Sequence, residues 1–402
     1  MKQSGRILAA IELLDEIFSF RQPADNTVNA YFRTRRYIGG GDRREISALV
    51  WFVLRRYGRL RLSFGKDPTG REAVAAALRY RGTAVDPLFD GDKYAPAPLT
   101  AEERAALARL PDELPDAVAE CPDWLRGRID DADVCAMVDE APLDLRVNTL
   151  KSTREDVLKL LERSGIKAEK TPYSPVGVRV NGRANVTALP VYADGLVEIQ
   201  DEGSQIVSLL TQAAAGQVAI DWCAGGGGKT LALSAMMNAK GTIYAADANA
   251  KRLRDLPERA ARAGANNVIL LNDYKSLKQY DLVLVDAPCT GTGTWRRSAD
   301  ARWRMSPEQS AQIIETQREI LDKACRCVKK GGRLFYVTCS LDAAENENQA
   351  ADFIQNHAGF VMEDLAPVLK KTTGLEQSGK TIRLRPSVCK TDGFFAASFI
   401  KK

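Results

Sequence analysis

Two cysteines in this chain follow runs that read as buried strands. Cys289 closes Asp286-Ala-Pro-Cys289 after the apolar run Asp281-Leu-Val-Leu-Val285, and Cys339 sits in Thr338-Cys339-Ser340 after Gly332-Arg-Leu-Phe-Tyr-Val337. The thiolate is the nucleophilic form of cysteine, so two thiols at neighbouring strand ends suit an enzyme that attacks a poorly reactive ring and then releases it. Either cysteine alone is equally compatible with packing, because free cysteine is among the most buried residue types. A third stretch with chemistry in it is Asp221-Trp-Cys223-Ala224-Gly225-Gly226-Gly227-Gly228-Lys229-Thr230. Its glycines let backbone N–H groups approach a ligand closely, and the start of the following helix offers unpaired donors. Nucleotide, dinucleotide and adenosylmethionine sites all use such a loop. A phosphate-binding P-loop needs glycine five residues before Gly228, where this chain has Cys223.

About 20 residues further on, a strand candidate ends at Asp247, where an acid can take both hydroxyls of a bound ribose. The next ends at Asn272-Asp273, in reach of an adenine ring or its surroundings. Helix caps and turn formers use the same residue types, but their recurrence after successive strands favours ligand binding. Lys229 stands in a first helical turn, where the macrodipole favours anions by roughly 0.3–1 kcal/mol, so a cation there is expected to have a task. The single histidine, His357, leaves almost no material for a metal site or a Cys-His pair, and no metal is expected.

The elements that must position these residues follow from periodicity. From residue 216 onward, strand candidates at Val218–Asp221, Thr242–Ala246, Val268–Leu271, Asp281–Val285 and Arg333–Val337 alternate with helical runs at Ala250–Ala263 and Pro307–Val328. In the last of these, Ile313, Ile320, Leu321, Ala324 and Val328 form one stripe, with Gln317 as the exception. Such alternation implies a parallel, doubly wound sheet that binds its ligand at the carboxyl ends of the strands. Residues 141–205 change character: a strand at Leu143–Asn148, a helix from Ser152 to about Arg163, and β-like stretches at Gly177–Val180 and Leu196–Ile199 form a small α+β module. Residues 1–140 read as helices. Ile7, Leu8, Ile11, Leu14 and Ile17 recur at helical spacing, as do Ile46, Leu49, Val50, Val53 and Leu54, and Asp42 with Glu45 predicts a capping box.

Charge is unevenly distributed. Residues 1–66 hold 13 Lys/Arg against 6 Asp/Glu, and Arg33, Arg35, Arg36, Arg43, Arg44, Arg55, Arg56, Arg59 and Arg61 cluster densely enough to neutralise several phosphates. A solvated helix face is the competing reading. Acids at Glu12, Asp15 and Glu16 make the N-terminal apolar run an amphipathic helix rather than a targeting segment. No apolar run approaches the roughly 20 residues that a bilayer requires. Eight cysteines without the spacing of a secreted scaffold argue for reduced thiols and a cytoplasmic location.

Taken together, Cys223-Ala-Gly-Gly-Gly-Gly-Lys-Thr230, Asp247, Asp273, Asp286-Ala-Pro-Cys289 with Thr292-Gly-Thr294, Thr338-Cys-Ser340 with Glu345-Asn-Glu347, and Asp392-Gly-Phe-Phe395 resemble the RsmB/Nop/Sun RNA cytosine-5 methyltransferases. Leu145-Arg-Val-Asn148 and Gln200-Asp-Glu-Gly-Ser-Gln205 extend the resemblance upstream, so that it covers about residues 140–402. It implies a doubly wound, Rossmann-like class I methyltransferase domain over 206–402, an RRM-like module over 141–205 and an all-α, NusB-like RNA-binding domain over 1–140. The implied cofactor is S-adenosyl-L-methionine, held by residues 223–229, Asp247, Asp273 and Asp286. The implied substrate is a cytosine in single-stranded or looped RNA, most readily ribosomal RNA, with the oligomeric state left open.

The resemblance assigns the attacking thiol to Cys339, release of the base to Cys289, and a hydrogen bond to the base near N3 and N4 to Asp286, with Lys229 supplying positive charge. One departure is Gly225-Gly226, where family members usually carry Ala-Pro, which makes the unfolded loop more flexible. Two alternatives stand beside this reading: a P-loop-like NTPase, against which Cys223 and Asp247 speak, and a non-catalytic RNA-binding factor on the same fold.

Overall fold

The computed structural model of the protein describes residues 1–402 apart from 183 and 272–278. The chain forms two units, Met1–Glu140 with Trp295–Pro307, and Ala141–Thr294 with Glu308–Lys402.

The first unit is helical. Helices Gln3–Ile17, Ala24–Thr34, Gly40–Leu54, Tyr57–Phe64 and Gly70–Tyr80 bury the stripes that the periodicity marks, with Leu13, Leu14, Val50, Val53 and Val74 fully enclosed. The capping box expected from Asp42 and Glu45 does not form. That helix starts three residues earlier, at Gly40 with Gly39 as its N-cap, and both carboxylates instead pair with the Arg6 guanidinium. Trp295–Pro307 lies inside the stretch expected to belong to the methyltransferase domain, yet it packs with these helices. Trp295 and Ala299 are buried, and Asp300 accepts a hydrogen bond from the Ala24 N–H at 3.1 Å.

The second unit contains two sheets. Strands β1 (Leu143–Val147), β2 (Ala168–Lys170), β3 (Gly177–Val180) and β4 (Val197–Ile199) form an antiparallel sheet in the order β2-β3-β1-β4. The helix Arg154–Arg163, capped by Thr153, buries Val157 and Leu161 in the same small core.

The larger sheet comprises β5 (Val218–Asp221), β6 (Thr242–Ala245), β7 (Val268–Leu270), β8 (Tyr280–Asp286), β9 (Val328–Thr338), β10 (Phe360–Met362), β11 (Ile382–Leu384) and β12 (Phe394–Lys401). Its order is β10-β12-β9-β8-β5-β6-β7, with β11 paired to β12. Strands β5 to β9 are parallel, as expected. The pairings of β12 with β9, β10 and β11 are antiparallel, so the sheet is mixed. Successive residues alternate between two apolar layers: Leu282, Leu284, Phe335 and Val337 enter one, and Val283, Val285, Leu334 and Tyr336 the other.

Two expected helices end differently. The run from Ala250 splits into a 3₁₀ turn, Ala250–Leu253, and a helix, Leu256–Ala263, because Pro257 is tolerated only in a first helical turn. The helix from Pro307 stops at Ala324, and Val328 opens β9. Because β5, β6, β8 and β9 are parallel, the residues that follow them gather at one edge.

Candidate active site

Asp221 ends β5, and the glycine loop turns from it into the helix Gly228–Met236. Gly225 and Gly227 adopt left-handed conformations with φ of 52° and 83°, and a side chain at Gly227 would collide with Leu256. The nearly buried Asp247 carboxylate accepts the N–H of Gly225 at 3.0 Å and that of Asn249 at 2.8 Å, and it pairs with Arg252 at 3.2 Å. Asp273 lies outside the described residues.

Lys229 points into the protein and donates to Asp286 Oδ2 at 2.7 Å, with the Phe394 ring 5.3 Å away. Burial alone would lower the pKa of this ammonium, but the Asp286 charge and hydrogen bond, with a further contribution from Cys339, raise it. The other Asp286 oxygen takes no hydrogen bond from the described residues, and the side chain is 31 % exposed.

The loops after β8 and β9 bring Cys289 Sγ within 3.3 Å of Cys339 Sγ. The hydrogen bond to Cys339 and burial push the Cys289 thiol well above the usual cysteine range. Cys223 lies half-buried in the glycine loop, and burial pushes its thiol up as well.

Four further residues shape the site. Glu345 binds both cysteine loops, accepting the Thr290 N–H at 2.8 Å and the Ser340 hydroxyl at 2.5 Å. Gln317 donates to Glu345 at 3.0 Å and to the Pro288 carbonyl at 2.9 Å. Its place as the polar exception in an apolar stripe was the available signal, because a buried glutamine needs partners. Arg252, which covers Asp247, had no signal beyond its position five residues after that acid. From the small sheet, the buried Arg146 donates to the Gly228 carbonyl at 2.6 Å, beside Lys229.

A sheet that is parallel from β5 to β9, with a glycine loop after β5 and an acid after β6, is Rossmann-like, and its family match gives it the methyltransferase class. The family described as 16S rRNA methyltransferase RsmB/F matches residues 208–400, and the RsmF/B-like ferredoxin-like domain matches 122–187. The chain is 31% identical over 296 residues to the probable ribosomal RNA small subunit methyltransferase B of Synechocystis, covering 70% of this chain and 66% of that relative. Among solved structures, a methyltransferase homolog protein from Pyrococcus horikoshii is 30% identical, with a TM-score of 0.58 over 71% of this chain and 94% of that one. PH0851, at 24% identity, shares the fold over 100% of this chain and 99% of its own, with a TM-score of 0.76. The protein belongs to the RsmB/F methyltransferase family.

Proposed function

We propose that the protein methylates carbon 5 of a cytosine in RNA, with small-subunit ribosomal RNA as the first candidate and S-adenosylmethionine as the methyl donor. The observation that carries this reading is the 3.3 Å approach of Cys289 and Cys339 beside the 2.7 Å Lys229–Asp286 pair. The family description and the name of the Synechocystis relative support the choice of RNA.

The residues present fit the donor. Its nucleoside needs a carboxylate for the ribose, which Asp247 supplies once the exposed Arg252 side chain moves off it, and backbone without side chains, which Gly225 to Gly228 offer. The buried Asp221 Oδ1 has no partner among the described residues. When bound, S-adenosylmethionine supplies an electrophilic methyl group.

The chain's own residues do the rest. Cytosine carbon 5 is a weak nucleophile, and bonding of the Cys339 sulfur to carbon 6 shifts electron density onto carbon 5. Asp286, held in place by Lys229, has an oxygen left for the base near N3 and N4; such proton positioning is typically worth about 10²–10⁴-fold. After alkylation the carbon 5 proton passes to a solvent water, its C–H electron pair closes the 5,6 double bond, and the Cys339 sulfur leaves carbon 6 as the thiolate. Cys289, which stays protonated next to the departing sulfur, assists that release. The base must be unstacked to reach these groups, which favours single strands and loops.

The test separates the thiols. Cys339→Ala should abolish both methyl incorporation and covalent capture of RNA, whereas Cys289→Ala should accumulate a protein–RNA adduct on denaturing gels. An adduct formed by Cys339→Ala, or normal product release by Cys289→Ala, would overturn the roles. Bisulfite mapping of RNA from cells with and without the protein checks the function itself, and an unchanged map would refute it.

A further inference from the structure

The basic block of the helical unit is less uniform than its sequence suggests. Arg43 is spent on the chain's own structure, donating from Nε to the Ile38 carbonyl at 2.8 Å, and Arg59 pairs with the buried Glu120 at 3.1 Å. Arg55 donates to the Arg296 carbonyl at 2.7 Å, and Arg61 pairs with Asp67 at 3.0 Å. Arg33 and Arg36 remain exposed and have no acid partner among the described residues. In the chain, Arg36 stands between Arg35 and Tyr37, which line one cavity.

That cavity, of about 1000 Å³, lies between the first helix and the loops around residues 35–38 and 92–94. Tyr37 and Tyr94, each on a different loop, line it while remaining 77% and 68% exposed. An amphipathic ring held this far into water has bought nothing for the fold, since tyrosine normally buries its ring and leaves only the hydroxyl wet. The lining acids are occupied: Glu12 takes the Tyr31 hydroxyl at 2.7 Å and lies 3.6 Å from Arg35, and Asp92 takes Lys2 at 2.7 Å. What the cavity presents outward is therefore the Tyr37 ring and the Tyr94 ring, one face of which Lys93 overlies at 5.3 Å, with Arg35 beside them.

We infer that this cavity is a stacking groove for single-stranded RNA, in which Tyr37 and Tyr94 each receive an unpaired base and the neighbouring cations follow the phosphates. The inference rests on the RNA reading above and adds an RNA-holding surface on the helical unit. Aromatic stacking tolerates any base, and counter-ion release makes the cationic part salt-dependent. A duplex keeps its bases stacked on one another, so the groove selects single strands. An acidic peptide would use the cations and leave the tyrosines idle.

The full-length protein is titrated with a fluorescent short oligouridine and with a duplex of equal length. Tyr37→Ala and Tyr94→Ala should each weaken oligouridine binding, by roughly five- to 150-fold given the usual worth of one stacked base, without changing the salt slope. Arg35→Ser with Arg36→Ser should weaken binding and flatten the slope. Both tyrosines are exposed, so an unchanged melting temperature confirms that the fold is intact. Wild-type methylation of RNA combined with unaltered oligouridine affinity in both tyrosine variants overturns the groove and leaves the function standing. So does a loss confined to the arginine variant, which would mean binding by charge alone. Absence of RNA methylation by the wild type refutes the function instead.

Discussion

Asp221 shows how one residue can tie the site to the stability of its domain. It is fully buried at the end of β5, where Oδ2 accepts the Thr230 hydroxyl at 2.7 Å and Oδ1 has no partner among the described residues. Burial pushes its carboxyl up to about 7 from 3.8, with the Thr230 hydrogen bond opposing and Asp286 adding to the rise. A carboxyl whose folded value exceeds its unfolded value holds its proton longer in the folded state. Its contribution to stability is thus complete below pH 3.8 and is lost as pH rises through 7. Asn in its place keeps the shape and removes the titration. Asp221→Asn should therefore flatten the fall in stability between about pH 4 and 7, by at most on the order of 4 kcal/mol at the upper end. Denaturant titrations across that range check this, and parallel pH profiles for the two proteins would show that Asp221 does not titrate there.

At the scale of elements, the cysteine spacing depends on three loops that backbone hydrogen bonds join directly, beside the side-chain bridge from Glu345. The Gly293 N–H donates to the Cys339 carbonyl at 2.9 Å, and the Gly393 N–H donates to the Gly293 carbonyl at 2.8 Å. A methyl group on Gly293 would lie 2.3 Å from the Gly393 oxygen, a contact that only movement of the loops can relieve. Gly293→Ala is expected to cost about 1–3 kcal/mol and to lower kcat while leaving KM for RNA nearly unchanged. Equal kcat values would mean that the loops absorb the methyl without moving the thiols.

None of this suturing is visible in the sequence, where Thr292-Gly-Thr294 and Asp392-Gly-Phe are a hundred residues apart. Strands such as Val218–Asp221 are legible because a parallel strand buried on both faces reads as an unbroken apolar run. The motif ends follow from that, as do the two thiols. Strand β12 reads equally apolar, but its antiparallel return beside β9 is a non-local pairing that no local pattern encodes. Gln317 and Glu345 stood out in the sequence as a gap in an apolar stripe and as part of a motif, but their roles were not legible there. A polar side chain in a buried place makes sense only once its partners are known, and those lie on two other loops.

For the whole molecule, the consequence is that its units do not follow chain order. Trp295–Pro307 begins six residues after Cys289, yet it is part of the helical unit. There the buried Arg302 donates to the Glu120 and Met137 carbonyls, both at 3.2 Å, and stands 4.9 Å from the Trp295 ring centroid. Glu120 is itself fully buried and accepts the N–H groups of Gly58 and Arg59 at 3.1 and 3.2 Å. A fragment that stops at residue 140 keeps this carboxylate but loses the strap that covers it. Losing one buried aromatic side chain alone costs about 3–5 kcal/mol, against a typical domain stability of about 5–15 kcal/mol. Residues 1–140 expressed alone should accordingly melt well below the same fragment carrying residues 295–307 on a flexible linker. In the linked fragment, Trp295→Ala with Arg302→Met should return the melting temperature to that of the bare one. Calorimetry of the three proteins decides the matter: if the bare and linked fragments melt together, the strap contributes packing without stability, and the helical unit is complete at residue 140.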